Sequence, residues 1–280
     1  MIPAYIAILR PAQWLKNLML YFPPFLGGQF VQPGLFTLGV LPFCSFCLVS
    51  SAGYVFNDIS DREQDISHPK KHRRPIPSGK VSIPAATMVA VLTLFAGISI
   101  GAVVSPHFVG FILIYLLISL LYSYKLKSFP VIDLFCVAAG FLIRLEAGGA
   151  VFTVTISPWL FLTVFLLAIV LSTGKRLGET ISLGSHAGEH RKSLARYPAG
   201  FLDGTIYMTS GAVVVTYAMY ALNKQRLLYT IPLCLFGLLR YIFRIKAGDG
   251  GDPTESLLND PVLFAVGLLW AVMVAWSIYS

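Results

Sequence analysis

The chain has 280 residues, 56% hydrophobic and 12% charged, with a formal net charge of +8 at neutral pH. A soluble domain of this size lacks the interior to hide so much apolar surface, so the composition excludes one and indicates an integral membrane protein. The excess of positive charge would suit nucleic acid, but its distribution along the chain argues against that partner.

In chain order, the opening "MIPAYIAILRPAQWLKN" lacks the charged start and cleavage pattern of a secretory signal, so no removed segment is expected. A bilayer core of about 30 Å takes roughly 20 apolar residues per helix. Nine stretches meet that requirement, near 14–30, 37–57, 84–104, 107–124, 131–150, 157–176, 201–222, 227–244 and 261–279. Backbone groups in lipid must pair within helices or a closed barrel, and these continuous runs lack the alternation of barrel strands. The predicted fold class is an all-α integral membrane bundle, one domain over 1–280, with no soluble domain or convincing repeat.

With the N-terminus placed in the cytoplasm, nearly all of the 21 Lys and Arg residues fall on the cytoplasmic side. Lys224 and Arg226 lie outside, and Arg144 lies within a span. Apart from Glu146, every Asp and Glu gathers at the same cytoplasmic ends, which topology alone does not require. That side is therefore expected to hold a site that uses both signs of charge. Cys44, Cys47, Cys136 and Cys234 sit in apolar spans without a metal-ligand pattern and read as small hydrophobes.

The stretch "NDISDREQDISHPKKHRRPIPSG" (57–79) holds the first candidates. On a helix, Asp58, Asp61 and Asp65 spread over roughly 60°, with Asn57 about 40° beyond Asp61. Three carboxylates on one face repel one another unless a cation sits among them. Hard oxygen ligands suit Mg²⁺, which takes one or two carboxylates and completes its shell with water and substrate phosphates. Lys70, Lys71, Arg73 and Arg74 would cover the remaining phosphate charge.

"NDISDREQD" followed by "RRPIPSG" resembles the N-D-x-x-D-x-x-x-D motif of the UbiA superfamily of intramembrane prenyltransferases, in which it holds Mg²⁺ against a diphosphate. Most of that superfamily carry a second aspartate-rich motif after the sixth span. Here "STGKRLGET" (172–180) puts Lys175, Arg176 and Glu179 in its place, exchanging metal-binding acid for fixed positive charge. That departure resembles the decaprenyl-phosphate phosphoribosyltransferase branch, and the likeness runs nearly end to end. It takes in "RPAQWLKN", "HPKKHRRPI", "YSYKLKSFPVID", "GFLIRLEAGG", "GKRLGE", "RKSLARY" and "LLRY".

The resemblance implies a UbiA-type bundle with a polar cavity on the cytoplasmic side. It implies transfer of 5-phosphoribose from phosphoribosyl pyrophosphate to a polyprenyl phosphate, with Mg²⁺ on the leaving pyrophosphate. In known cases the product is a precursor of the lipid-linked arabinose donor for cell-wall sugars. A homo-oligomer, such as a trimer, is compatible with it.

On this reading Asn57, Asp58, Asp61 and Asp65 hold Mg²⁺, while Lys71 and Arg74 bind phosphate oxygens in a lid above the site. Lys175 and Arg176 bind donor phosphate; Glu179, four residues after Lys175, orients them or accepts a ribose hydroxyl. Lys16 is a weaker candidate at the same level. Tyr122 and Lys127 either touch phosphate or ribose, or are an interfacial aromatic and a topology charge. His68, before Pro69, shapes the loop.

Arg144 lies near mid-bilayer, where an unpaired guanidinium costs at least ~2.5 kcal/mol, so it is expected to face a polar cavity. It shares a helix face with Asp133, one of two acids near enough in sequence to serve it, and reads as an anionic site for donor or acceptor, or as a buried structural pair. Glu146 points elsewhere, and the glycine-rich acidic stretch "KAGDGGDPTESLLNDP" (246–261) reads as a mobile connection with helix-starting residues. Two rival readings remain: a prenyltransferase moving an isoprenoid from its diphosphate to an aromatic or lipid acceptor, and a carrier for polyprenyl-phosphate lipids.

Overall fold

The computed structural model describes residues 3–67, 69, 71–184, 188, 191–222 and 224–280, with the backbone but not the side chain of Gln225. The candidates His68 and Lys70 lie outside the described residues. Among the described residues every regular element is helical.

The chain begins with α1 (Ala4–Ala7), a 3₁₀ segment Pro11–Tyr21 and α2 (Phe22–Leu26). The predicted span 14–30 is thus built in two pieces, with Pro23 and Pro24 opening the second. Then follow α3 (Leu35–Ser60), α4 (Arg62–Ile66), α5 (Ile83–Val104), α6 (Pro106–Tyr124), α7 (Ile132–Phe152), α8 (Pro158–Leu183) and α9 (Phe201–Leu222). A 3₁₀ stretch Gln225–Thr230 leads into α10 (Ile231–Lys246), and α11 (Pro253–Asn259) and α12 (Pro261–Tyr279) close the chain. Among the described residues eight helices are long and apolar enough to cross a membrane.

The starts of these helices have a local chemical cause. Ser105 and Ser157 accept the backbone N–H groups of Phe108 and Leu160, and each precedes a proline at the first helical position. Asp252 and Asp260 do the same ahead of Pro253 and Pro261. A side-chain acceptor satisfies an orphan amide there, and proline gives up an N–H that would have no partner anyway.

Helices α3 and α8 are the most buried spans, α7 and α9 follow equally, and α12 is the least buried. α3 packs along α5 and α6, α7 along α6, α8 and the Pro11–Tyr21 segment, and α8 along α9. Apolar clusters such as Leu20, Phe46, Phe108, Ile112 and Ala147 lie between them, while the contacts Asp61–Lys127, Arg176–Asp133 and Arg176–Tyr122 gather the ends of α3, α6 and α8 and the start of α7 at one end of the bundle.

The connection 246–261 differs from the mobile stretch its glycines suggest. Asp252 and Asp260 cap helices as expected, but the segment also packs against α8 and α10. Asp260 is fully buried and binds Arg240 at 2.9 Å and Arg244 at 2.7 Å. The arginines hold the Asp260 carboxyl well below the usual range, with the Leu263 amide adding to the effect.

Candidate functional site

Two charged clusters face one another at this end of the bundle. The first is built on the last turn of α3 and on α4. Asp58 and Asp65 are buried, and Arg74 Nη1 reaches both, at 3.2 and 2.6 Å. Arg10 adds a second guanidinium to Asp58, with Nε at 3.2 Å, and lies over the Tyr54 ring at 5.5 Å. Asp61, at the break between α3 and α4, accepts from Asn57 Nδ2 at 3.1 Å and is paired with Lys127; the same ammonium stands 3.4 Å from Asn57 Oδ1. Lys127 therefore meets the acidic cluster directly.

The second cluster surrounds Arg176, which is buried on α8. Its Nε donates to Asp133 Oδ2 at 2.8 Å, Nη1 to Glu179 at 2.8 Å and Nη2 to the Tyr122 hydroxyl at 3.1 Å. Arg191 also reaches Tyr122, at 2.7 Å, and Tyr197 donates to Asp133 Oδ1 at 2.7 Å. Burial, with that carboxylate as its acceptor, holds the Tyr197 phenol above its ordinary range, so it remains a donor. The Tyr197 hydroxyl also accepts the Val131 amide at 2.7 Å. Val131 has φ 66°, and Ile132 N bonds Pro130 O at 2.7 Å, giving a γ-turn of the rare hand that a β-branched residue adopts only under strain.

Lys71 links the clusters, lying within electrostatic reach of both Glu179 and Asp65; burial lowers its pKa below the usual lysine range despite those two carboxylates. Lys16 lies within electrostatic reach of Lys175, Asp252, Arg144 and Arg10.

Two pairings expected from spacing are absent. Glu179 is engaged by Arg176, three residues away, while Lys175 turns to Asp252 at 2.8 Å. Arg144 is not bound to Asp133. It donates to Asn17 Oδ1 at 2.7 Å, Gly140 O at 2.7 Å and Tyr115 OH at 3.1 Å, and lies over the Tyr115 ring at 4.5 Å. Eleven residues bring a helix back to the same face but also carry it about 16 Å along its axis, too far for a side-chain pair. Among the described residues, the buried Arg144 is thus held by neutral acceptors alone.

Arg10, Asp133, Arg191, Tyr197 and Asp252 join the site without having been singled out as ligands. Arg10, Asp133, Arg191 and Tyr197 lie inside the motif stretches "RPAQWLKN", "YSYKLKSFPVID" and "RKSLARY", whereas Asp252 carries no sequence signal beyond its helix-capping position.

Among the described residues no three His, Cys, Asp or Glu side chains form a ready-made metal cage. The oxygen atoms of Asn57, Asp58, Asp61 and Asp65 nonetheless fit an ion that takes one or two carboxylates and shares the rest of its shell with phosphate and water. Soft ligands are missing from this set, which disfavours zinc or copper.

A multi-span bundle with an acidic and an arginine-rich cluster facing each other at one end defines an intramembrane enzyme of the UbiA fold. The fold agrees with a solved UbiA homolog from Archaeoglobus fulgidus bound to GPP and Mg²⁺, at TM-score 0.76, 22% identity and 99% coverage of each chain. The chain belongs to the UbiA prenyltransferase family, whose pattern matches residues 20–266. It is 32% identical to a decaprenyl-phosphate phosphoribosyltransferase of Corynebacterium glutamicum, over 98% of this chain and 86% of that one. A protein of the same name from Mycolicibacterium smegmatis is 30% identical, over 100% of this chain and 93% of the relative.

Proposed function

We propose that the protein transfers 5-phosphoribose from phosphoribosyl pyrophosphate to a polyprenyl phosphate, giving polyprenyl-phosphoryl 5-phosphoribose and pyrophosphate. The observation that carries this reading is Arg176, buried on α8 and fixed by Asp133, Glu179 and Tyr122, with Lys175 beside it. A donor phosphorylated at both ends of its sugar needs one acidic, metal-binding pole and one cationic pole. A prenyl diphosphate has no use for the second.

Mg²⁺ held by Asn57, Asp58, Asp61 and Asp65 would neutralise the charge that gathers on the leaving pyrophosphate. Arg74, Arg10 and Lys127 stand beside those carboxylates and turn toward phosphate oxygens, and Lys71 spans to the far pole. Lys175 and Arg176 hold the 5-phosphate. A lipid phosphate oxygen attacks C1 of ribose; the new C1–O bond forms as the bond to pyrophosphate breaks, with inversion at C1. The acceptor is already anionic near neutral pH, so no general base is needed, and the residues act by positioning and charge stabilisation. The site and the N-terminus are assigned to the cytoplasmic face of the cell membrane by the distribution of Lys and Arg, and the product to supply of a lipid-linked arabinose donor for cell-wall polymers.

Purified protein in detergent, given phosphoribosyl pyrophosphate, Mg²⁺ and a polyprenyl phosphate, tests this. Pyrophosphate release that depends on lipid and metal, and is lost in Asp61→Asn, is the expected result. Turnover with a prenyl diphosphate and an aromatic acid instead would replace the reading with isoprenoid transfer. Retention of the donor's anomeric configuration would overturn the in-line step.

A further inference from the structure

Asp252 divides its carboxylate between two tasks. Oδ1 accepts the backbone N–H groups of Thr254 at 3.0 Å and Glu255 at 3.3 Å, which fixes it to the first turn of α11. Oδ2 lies 2.8 Å from Lys175 Nζ. The carboxylate is the enclosed partner, with 14% of its side chain exposed against 40% for the lysine.

The backbone ahead of Asp252 is equally fixed. Tyr241 donates to Gly251 O at 2.8 Å. A Cβ on Gly251 would stand 2.1 Å from Gly174 O, and one on Gly178 would stand 2.5 Å from Gly251 N. The Gly250–Asp252 strand of chain therefore lies directly on the glycine face of α8 that borders Lys175, and this close approach is what delivers the carboxylate to the ammonium.

We propose that Asp252 is a positioning residue of the transfer site, holding the Lys175 ammonium at the mouth of the cationic cluster so that it meets donor phosphate already oriented. The inference rests on the functional reading above, in which Lys175 binds that phosphate. A lysine side chain carries a large rotamer entropy, and restricting it before the substrate arrives removes that cost from binding. An ammonium has three donors, and Asp252 takes only one of them, which leaves the others for phosphate.

Asparagine caps a helix as well as aspartate does, so Asp252→Asn removes the ion pair while keeping the first turn of α11. Wild type, Asp252→Asn, Lys175→Met and the double variant are compared for donor and lipid KM. Asp252→Asn is expected to raise donor KM about tenfold with lipid KM unchanged, and to add less than about twofold once Lys175 is methionine. Asp252→Glu, which keeps the charge on a longer arm, is expected to recover part of the loss. Equal losses in both lysine backgrounds, or a rise in both KM values together with a lower unfolding midpoint, would overturn the proposal. The same four proteins are titrated with ribose 5-phosphate and followed by their unfolding midpoints. Coupling between the two positions in that binding would sustain the role of Asp252 even if phosphoribosyl transfer failed, and its absence would overturn the role whatever the activity.

Discussion

The Tyr197 hydroxyl donates to Asp133 Oδ1 across 2.7 Å, tying the connection ahead of α9 to the first turn of α7. Since Asp133 is fully buried and holds Arg176 through its other oxygen, one hydrogen bond couples a surface connection to the centre of the cationic cluster. Tyr197→Phe leaves a buried acceptor and the Val131 amide without this partner, at a cost of about 1–3 kcal/mol. A lower unfolding midpoint in detergent, with a fall in kcat/KM, is expected. An unchanged midpoint would mean that water replaces the phenol.

Arg144 is predicted to behave as a geometric clasp. Arg144→Lys keeps the charge but cannot reach Asn17, Gly140 and Tyr115 together, so it is expected to destabilise the protein nearly as much as Arg144→Met. Asn17→Leu should couple to either change by about 0.5–3 kcal/mol in a double-mutant cycle. Full rescue by lysine would show that charge alone matters.

Acid unfolding carries a signature of Asp252. Burial acts to raise its pKa, but Lys175, with Lys16 behind it, draws it from the ordinary 3.8 down to about 2. A depressed carboxylate contributes stability that is complete above its unfolded pKa and is lost as pH falls through the folded one. The contribution, of the order of 2 kcal/mol, is therefore expected to disappear between pH 4 and about pH 2. Asp252→Asn should flatten the stability curve in that window and nowhere above it, as followed by tryptophan fluorescence.

Chelation is expected to separate activity from folding. Arg10, Arg74 and Lys127 already compensate Asp58, Asp61 and Asp65 within the protein. Removing divalent ions with EDTA should abolish turnover and donor protection but move the unfolding midpoint by no more than about 1 °C, because little stability is linked to the ion alone. A large drop would make the metal structural.

Gly251→Ala should be harmful out of proportion to its size. The added methyl would collide with the Gly174 carbonyl, a backbone atom that cannot swing aside, and overpacking of this kind costs about 1–3 kcal/mol. Expression level and unfolding midpoint report it, and tolerance would mean that the 246–261 connection can lift from α8.

What was legible in the sequence follows a physical divide. Asn57, Asp58, Asp61 and Asp65 lie within nine residues of chain, so proximity along the sequence brings them to one region even though the helix breaks at Asp61 and does not carry them as one continuous stripe. Ser-Pro and Asp-Pro pairs mark helix starts by local chemistry, and the spans follow from hydrophobic length. The pairs Asn17–Arg144, Arg176–Asp133 and Lys175–Asp252 are separated by 127, 43 and 77 residues, and no local pattern encodes them. Spacing offered Arg144 the wrong acid because it reports direction around a helix without distance along it. It offered Lys175 a partner on its own helix because a docking surface made of glycine backbone leaves no trace in charge patterns.

The clasp between Asn17 and Arg144 also bears on how the chain is assembled during synthesis. Asn17 leaves the ribosome well before Arg144, so the guanidinium that must settle deep among apolar helices arrives after its acceptor. An arginine entering lipid alone is costly, whereas one that finds a waiting amide oxygen is not. The short, proline-broken segment Pro11–Leu26 thus acts as a receptor for a later helix.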